Sequence, residues 1–437
     1  MYYRLYTVLG WLLFMVALPF CLLTGKHLAG LRQRLGFFEP AHAWRHPKRL
    51  WLHAASVGEV QVAKALVAAL ERMETRADII ITTVTAQGLA AANRQLGATA
   101  LCLYAPIDLP WVVERFLRKL RPNVYICLET ELWPAMLRQA KANGIPALLL
   151  NGRLSANSSR RYQWVAAFIG QVVNCFSAAS VIGDKDRERF VALGLEPSKI
   201  AVNGNAKFDL ALESLFTHHD GLSGLSGDQL RMAAVEHYQR LLGLDGQQPV
   251  IVAGSTHPGE EALLLSAHQA LLATIPDLVL IIAPRHLDRL QQLKAEWHGA
   301  GITFESLSQV LSSGRSAPIV VIDQMGELAR LYAVATYAFC GGSLVERGGH
   351  NIMEPAVWGK PPLYGPYMTD FMDARVLLEE HQAGFLVNDL HELIATIETF
   401  HRHPATYQQA AERTRAIALA QQGAASKQAE MIRAALG

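Results

Sequence analysis

Between Arg49 and Asn203, short apolar runs alternate with stretches in which apolar positions recur at helical spacing. RLWLHA, DIIITT, ALCLYA, NVYIC, IPALLLN and ASVIG read as strands, with amphipathic helices such as VQVAKALVAALERM and LPWVVERFLRKL between them. Strands that are apolar on both faces and separated by helices predict a parallel α/β sheet, because only a sheet covered on both sides buries every side chain of such a run. The rhythm resumes with PVIVAGS, LVLIIAP, PIVVID, TYAFCGG and PPLYG. Between the two series, from Phe216 to Gln248, HHDGLSGLSGD followed by a helical stretch marks an inter-lobe hinge. The expected architecture is α/β, with two doubly wound Rossmann-like lobes and a cleft between them. These are residues 26–215 and 216–437, the last helix being free to pack back on the first lobe. No short-period repeat points to a solenoid.

The N-terminus breaks this pattern. Between Arg4 and Lys26 lie about twenty uncharged residues, LYTVLGWLLFMVALPFCLLTG, which as a helix would measure roughly 30 Å, the thickness of a bilayer core. The reading adopted is a membrane-anchor helix over residues 1–25. A cleaved signal peptide competes with it, but no small-residue cleavage site follows the run, and a buried core helix is the third reading. Lys26, Arg32, Arg34, Arg45, Lys48 and Arg49 then face a single acid, Glu39, which places this flank on the cytoplasmic side. Pro19 would kink a spanning helix and leaves room for a segment lying in one leaflet.

Composition narrows the function classes. A chain of 437 residues, 51% hydrophobic and 18% charged, is neither disordered nor fibrous and has the length for two cores. Forty basic against thirty-eight acidic side chains leave a net charge near +2, so no general attraction to nucleic acid is expected. The five cysteines are far apart and form no CxxC pair, as in a reduced catalytic protein.

Candidate chemistry gathers where strands end, since that edge of a parallel sheet faces the ligand crevice. In LHAASVGEV, Glu59 falls in the first turn of a helix. There it either complements the helix dipole, worth about 0.3–1 kcal/mol, or serves as a general base with small residues leaving room for substrate. In VYICLETELWP, Glu129 and Glu131 follow a strand, and Glu129 is the functional candidate, with Thr130 as the N-cap of the following helix. Cations form a third group: Lys207 in NGNAKFD, Arg285 in IIAPRH, and Arg347 with His350 in GGSLVERGGHNIMEPA. Gly341, Gly342 and Ser343 are expected to offer amides and a hydroxyl to a phosphate, and Glu354 to accept from a ribose diol. The DKD string at Asp184–Asp186 leads into a helix, so Asp184 reads as an N-cap and no metal site is assigned.

Together these strings resemble the Kdo (3-deoxy-D-manno-octulosonic acid) transferases of lipopolysaccharide biosynthesis, which have the GT-B fold. The likeness runs through SVGE, ETELWP, NGRLS, GNAKFD, GSTHPGEE, PRH, MGEL and GGSLVERGGHN, nearly the whole chain. It implies an inverting transfer of Kdo from CMP-Kdo to the lipid A precursor (lipid IVA), without metal or other cofactor, at the cytoplasmic face of the bacterial inner membrane. It implies Glu59 as the base, with Glu129 and Lys207 assisting the transition state. CMP would be held by Pro284, Arg285, Met325, Gly326, Glu327, Ser343, Asn351, Ile352, Met353 and Glu354. NIME departs at two positions from the NPLE more familiar in the family but keeps the Asn and the Glu. The implied partners are the donor, the acceptor and inner-membrane lipid, with no nucleic acid. A UDP-sugar transferase or epimerase of the same fold is the alternative, and a non-catalytic nucleotide-sugar binding protein the third possibility.

Overall fold

The structure, a computed structural model, describes residues 2–24, 30–40, 44–209 and 227–437. It divides into two compact units, Met1–Asp209 with Gly423–Gly437, and Leu210–Gln422. Residues 216–226 of the expected hinge lie outside the described residues, and the helix Gly227–Leu241 follows them.

The helices that matter to the first unit are α1 (Tyr2–Thr24), α2 (Val57–Arg72), α3 (Ala86–Leu96), α4 (Pro110–Leu120), α5 (Pro134–Ala142), α6 (Ala166–Val173) and α7 (Asp184–Ala192). Its strands are β1 (Arg49–His53), β2 (Asp78–Thr83), β3 (Ala100–Tyr104), β4 (Val124–Leu128), β5 (Ala147–Gly152), β6 (Ala178–Val181) and β7 (Ile200–Val202). They form one parallel sheet in the order β3-β2-β1-β4-β5-β6-β7. Successive side chains of a strand point to opposite faces, and here both faces are covered. Trp51, Ile80, Tyr125, Cys127 and Leu149 join a core with Val113, Phe116 and Phe176. Leu50, Leu52, Ile79, Ile81, Val124 and Ile126 are buried on the other face, where α2 and the C-terminal helix Ala424–Leu436 meet the sheet.

The second unit repeats the plan with β8 (Val250–Thr256), β9 (Val279–Pro284), β10 (Phe304–Ser306), β11 (Ile319–Val321), β12 (Tyr337–Cys340), β13 (Pro362–Tyr364) and β14 (Phe385–Leu386). These lie parallel in the order β10-β11-β9-β8-β12-β13-β14. Ile251, Ala253, Leu280, Ile282 and Phe339 pack with Leu264 and Leu271 of α8 (Glu260–Leu271). Val250, Val252, Val279, Ile281 and Ala338 pack with Tyr238 and Tyr332 on the opposite face. In each sheet the strand order reverses at a central pair, β1 with β4 and β8 with β12, and the loops leaving such a pair open a crevice at the carboxyl edge.

The N-terminal segment is helical, but among the described residues no helix is long and apolar enough to cross a membrane. A spanning anchor is therefore not supported. The physical reason is that one face of α1 rests on its own unit. The Tyr6 hydroxyl donates to Asp108 at 2.7 Å, Trp11 stacks on Trp111, and Phe14 packs against the core. Two cations of the basic flank are likewise engaged internally. Arg34 donates to the carbonyl of Val84 and lies over Tyr104, while Arg49 donates to the carbonyl of Leu120 and lies over Trp44.

The C-terminal helix is pinned to the first unit by the carboxylate of Asp209, which accepts from the N–H groups of Gly423 (2.9 Å) and Ala425 (2.6 Å). Losing an N-terminal cap of this kind costs about 0.5–2 kcal/mol. In Asp209→Ala, amide exchange in residues 424–436 should therefore accelerate roughly 2- to 30-fold while the central strands stay protected. Unchanged exchange in that helix would show that its apolar face alone holds it.

Candidate active site

In the first unit the chemistry-bearing residues leave the central strand pair. Past β1, Ser56 caps α2, its hydroxyl accepting from the N–H of Glu59 at 3.5 Å and donating to Glu59 Oε1 at 3.0 Å. Glu59 Oε2 accepts from the N–H of Ala55 at 2.7 Å. This reciprocal arrangement resembles a capping box, so the helix-terminal reading of Glu59 holds as a fact of the structure. The same carboxyl is only 5% exposed. Burial, together with the negative charges of Glu129 and Glu131, raises it to about 8 against the pull of its two hydrogen bonds. A group that both caps a helix and exchanges a proton near neutrality can serve as a base as well as a strut.

Past β4, Glu129 has a φ of +55°, left-handed for a residue with a side chain and costing on the order of 1 kcal/mol or more. Its carboxylate forms an ion pair with Lys207 Nζ at 2.6 Å. A Cβ on Gly58 would lie 3.5 Å from the same Nζ, so Lys207 sits over the turn that leads to Glu59. The structure thus brings Glu59, Glu129 and Lys207 together.

Two asparagines missing from the candidate residues hold Lys207 in place. Asn151, at the end of β5 and also at φ +55°, accepts from the N–H of Ala206 at 2.8 Å and donates to Asn205 Oδ1 at 3.2 Å. Asn205 Oδ1 in turn accepts from the N–H of Lys207 at 3.1 Å. The available signal was an Asn ending an otherwise apolar strand run. Thr130 does not cap α5: its N-cap is Trp133, and the helix amides of Ala135 and Met136 donate instead to Asp108 at 2.9 Å each. Asp184 is the first residue of α7 and Gly183 its N-cap. Asp186 accepts from the N–H of Leu154 at 2.8 Å.

In the second unit the neighbouring strands β11, β9, β8 and β12 lead into Met325–Glu327, Arg285, His257 and Gly341–Arg347. Here the expected phosphate turn is corrected. Glu260, fully buried on the first turn of α8, accepts from the N–H groups of His257 (2.9 Å), Gly342 (2.7 Å), Ser343 (3.1 Å) and Leu344 (3.0 Å). The Ser343 hydroxyl donates to the carbonyl of Cys340 at 2.5 Å and accepts from the N–H of Gly365 at 2.8 Å. An internal carboxylate thus occupies the anion role assigned to a ligand. The turn is also closely packed, since a Cβ on Gly341 would lie 2.6 Å from the carbonyl oxygen of Ser255.

Beside this turn lies a cluster of imidazoles. His257 and His350 lie with rings parallel and Nε2 atoms 2.9 Å apart, and the His286 ring is 5.5 Å from that of His257. Burial, His257, Arg285 and His286 push His350 down to about 4, and burial and its cationic neighbours lower His257 as well. A neutral pair in a cationic setting is a suitable place for an anion to settle.

Glu354, in α9 (Met353–Val357), is raised to about 7 by burial, against the pull of the Asn351 amide at 3.4 Å and of Arg285. Asn351 Oδ1 accepts from the N–H of Met353, the first residue of this helix, at 3.1 Å. Ile352 and Met353 are buried in the core, and Pro284 is buried at the end of β9. Met325 is exposed, Gly326 has a φ of +94°, and Glu327 accepts from the Tyr238 hydroxyl at 2.5 Å. Among the described residues no group of three or more His, Cys, Asp or Glu side chains could hold a metal ion.

Residues 29–210 match the family described as 3-deoxy-D-manno-octulosonic-acid transferase (kdotransferase), a span that includes Glu59, Glu129 and Lys207. The chain is 32% identical over 358 residues to the 3-deoxy-D-manno-octulosonic acid transferase of Haemophilus influenzae, covering 82% of this chain and 80% of that one. The chain belongs to this family. The transferase of the same name from Bordetella pertussis is 31% identical, covering 74% of this chain and 73% of that one. A UDP-GlcNAc 2-epimerase from Neisseria meningitidis, solved with UDP-GlcNAc, covers 89% of this transferase and 99% of its own chain, with a TM-score of 0.50 and 15% identity. That likeness concerns the fold alone, two Rossmann-like units of the GT-B kind.

The raised Glu59 gives a stability test with a definite sign. The folded transferase keeps the Glu59 proton up to about pH 8, whereas the unfolded chain releases it in the ordinary carboxylate range. The contribution is therefore fully present below that range and is lost as pH rises through about 8. Glu59→Gln has no such proton to lose, so its melting temperature relative to the wild type should rise between pH 5 and pH 9. A difference that stays flat or slopes the other way would mean the carboxyl is ionised throughout.

Proposed function

We propose that this transferase moves Kdo from CMP-Kdo onto a lipid A precursor with inversion at the anomeric carbon. The observation that carries the reading is Glu59, raised to about 8 beside the Glu129–Lys207 ion pair at the reversal point of the first sheet. As the acceptor hydroxyl oxygen bonds to the anomeric carbon, its proton passes to Glu59. The bond from that carbon to the CMP phosphate breaks, and its electron pair leaves with the phosphate. Lys207 supplies positive charge for the donor's carboxylate, and Glu129 holds the ammonium in position. Arg285, Arg347 and the His257–His350 pair receive the departing phosphate, and Glu354 accepts from the ribose diol. A nucleoside monophosphate leaves with less charge than a diphosphate, so cationic side chains suffice for it. Membership of the family favours this donor over a UDP-sugar, and displacement of bound CMP by UDP would reverse that preference.

The decisive experiment incubates the protein with CMP-Kdo and lipid A precursor and counts added sugars by mass spectrometry. Turnover should climb as pH rises toward about 8, because the base must be ionised. Glu59→Gln should lower turnover about a hundred- to ten-thousand-fold with CMP affinity unchanged. A variant that turns over normally would remove Glu59 from the mechanism.

We infer the location from α1. Leu5, Val8, Leu9, Leu12, Leu13 and Val16 are exposed at helical spacing along one face, opposite the face that rests on the protein. We place this face in the interfacial layer on the cytoplasmic side of the inner membrane, where an acylated acceptor is found. Leu9→Glu with Leu13→Glu should release the protein from anionic vesicles in sedimentation while leaving activity on detergent-dispersed acceptor. Undiminished sedimentation would move the contact to another surface.

A further inference from the structure

The loop from Glu129 to Trp133 carries one carboxylate of the site and a second, Glu131, that acts on Glu59 through its charge. Its exit is the first turn of α5, which begins at Pro134 with no side-chain cap from Trp133. A helix start leaves N–H groups in need of an acceptor, and here the acceptor comes from a distant part of the chain. Asp108, 9% exposed and lying just ahead of α4, accepts from Ala135 N through Oδ2 and from Met136 N through Oδ1, both at 2.9 Å. Its Oδ2 takes a third donor, the hydroxyl of Tyr6 on α1, at 2.7 Å.

Around this point α1 makes close contact with the same elements. The Tyr6 ring stacks on Phe168 of α6 at 5.6 Å, Arg138 of α5 lies 4.0 Å from the Tyr3 ring centroid, and a Cβ on Gly10 would meet Leu109 at 3.2 Å. The loop is tied at its other points as well. The Glu129 N–H donates to Leu150 O at 3.0 Å, the Trp133 indole donates to Glu131 Oε2 at 2.6 Å, and the Cys127 thiol donates to Glu131 O at 2.8 Å. With its strand end anchored in the sheet, the loop ends at α5, whose first amides are held by Asp108.

We propose that Asp108 is a positioning residue for sugar transfer and that, through the Tyr6 hydroxyl, it makes the N-terminal helix part of the catalytic unit as well as a surface for lipid. The inference rests on the transfer reaction proposed above. Asp108 touches no reacting atom; it acts through α5 on the loop bearing Glu129 and Glu131. The groups that face Glu59 are Glu129 and Glu131 on that loop, Lys207 over Gly58, and Ser56 and Ala55 on its own turn. If the loop moves away, Glu59 loses the two negative charges that help raise it, and the acid limb of the pH profile must fall with it.

The test uses the full chain and detergent-dispersed acceptor, so that lipid attachment plays no part. Tyr6→Phe keeps the ring stack and removes one donor. Asp108→Asn puts an amide N–H opposite a backbone N–H. A single hydrogen bond of this kind corresponds to a turnover loss of about 3-fold for Tyr6→Phe, and the broken cap to about 10-fold or more for Asp108→Asn. KM for CMP-Kdo should be unchanged and the acid limb of kcat shifted to lower pH in both. The double variant should be no slower than Asp108→Asn alone, because both changes break one link. A general loss of stability would not move the acid limb, and melting temperatures identify it.

If Asp108→Asn does not fold, Tyr6→Phe decides alone. Normal kcat and an unmoved acid limb in a folded variant overturn the proposal, as does a defect seen with bilayer acceptor and absent with dispersed acceptor. Wild-type protein that transfers no Kdo would instead overturn the proposed function, so the two failures are distinct.

Discussion

A carboxylate taken out of water must fill its lone pairs, and in this protein several do so with the backbone N–H groups of the loops they hold. Glu260 gathers four amides from two loops of the second unit. Asp108 gathers the first amides of α5, Asp209 those of the C-terminal helix, and Asp78 those of Arg45 and His46 ahead of β1. Each of these bonds is charge-assisted, and breaking one strands a buried charge. Loops that would otherwise fray are thereby tied to the framework.

The same loops carry the residues proposed for the chemistry. A parallel sheet delivers every strand to one edge, and the reversal of strand order leaves the central pair without a crossover above it. Glu59 and Glu129 follow β1 and β4, and His257 and the Gly341–Ser343 turn follow β8 and β12. Rigid loops matter for transfer, since a base and a counter-charge must meet their substrate atoms within hydrogen-bond reach. The left-handed backbone at Glu129 and Asn151 is tolerated where such ties over-determine the conformation. In the second unit, Glu260 stiffens the turn from within, beside the histidine and arginine side chains proposed to meet an anion.

Much of the framework was legible along the chain. Apolar runs of about six residues between helical stretches read as buried parallel strands, and strands form at all of them, because burial on both faces writes itself into consecutive positions. β7, β10 and β14, edge strands that are only partly buried, carried too little apolar pattern to be read. Glu129 and Arg285 were singled out because charge placed directly after an apolar strand is costly without a reason, and Glu59 and Glu354 because each lies in the first turn of the helix that follows. Asn151, Asn205 and Asp108 were missed because short polar side chains in loops are ordinary, and their importance rests on partners elsewhere.

Local information was therefore enough for element type, for the edge at which the chemistry collects, and for the family motifs, since each depends on residues within a few positions of one another. It could not assign partners. The glycine turn before Ser343 looks like a phosphate loop until Glu260, more than eighty residues earlier, is seen to occupy its amides. The start of α5 looks capped by its neighbours until Asp108 is found in that role. The apolar run near the N-terminus has one composition whether it lies in lipid or against protein. Packing alone gave one face to Phe14, Trp111 and Asp108 and left the other to solvent or membrane. Hydrogen bonding and burial are settled by proximity in space, and chain separation carries almost no information about that.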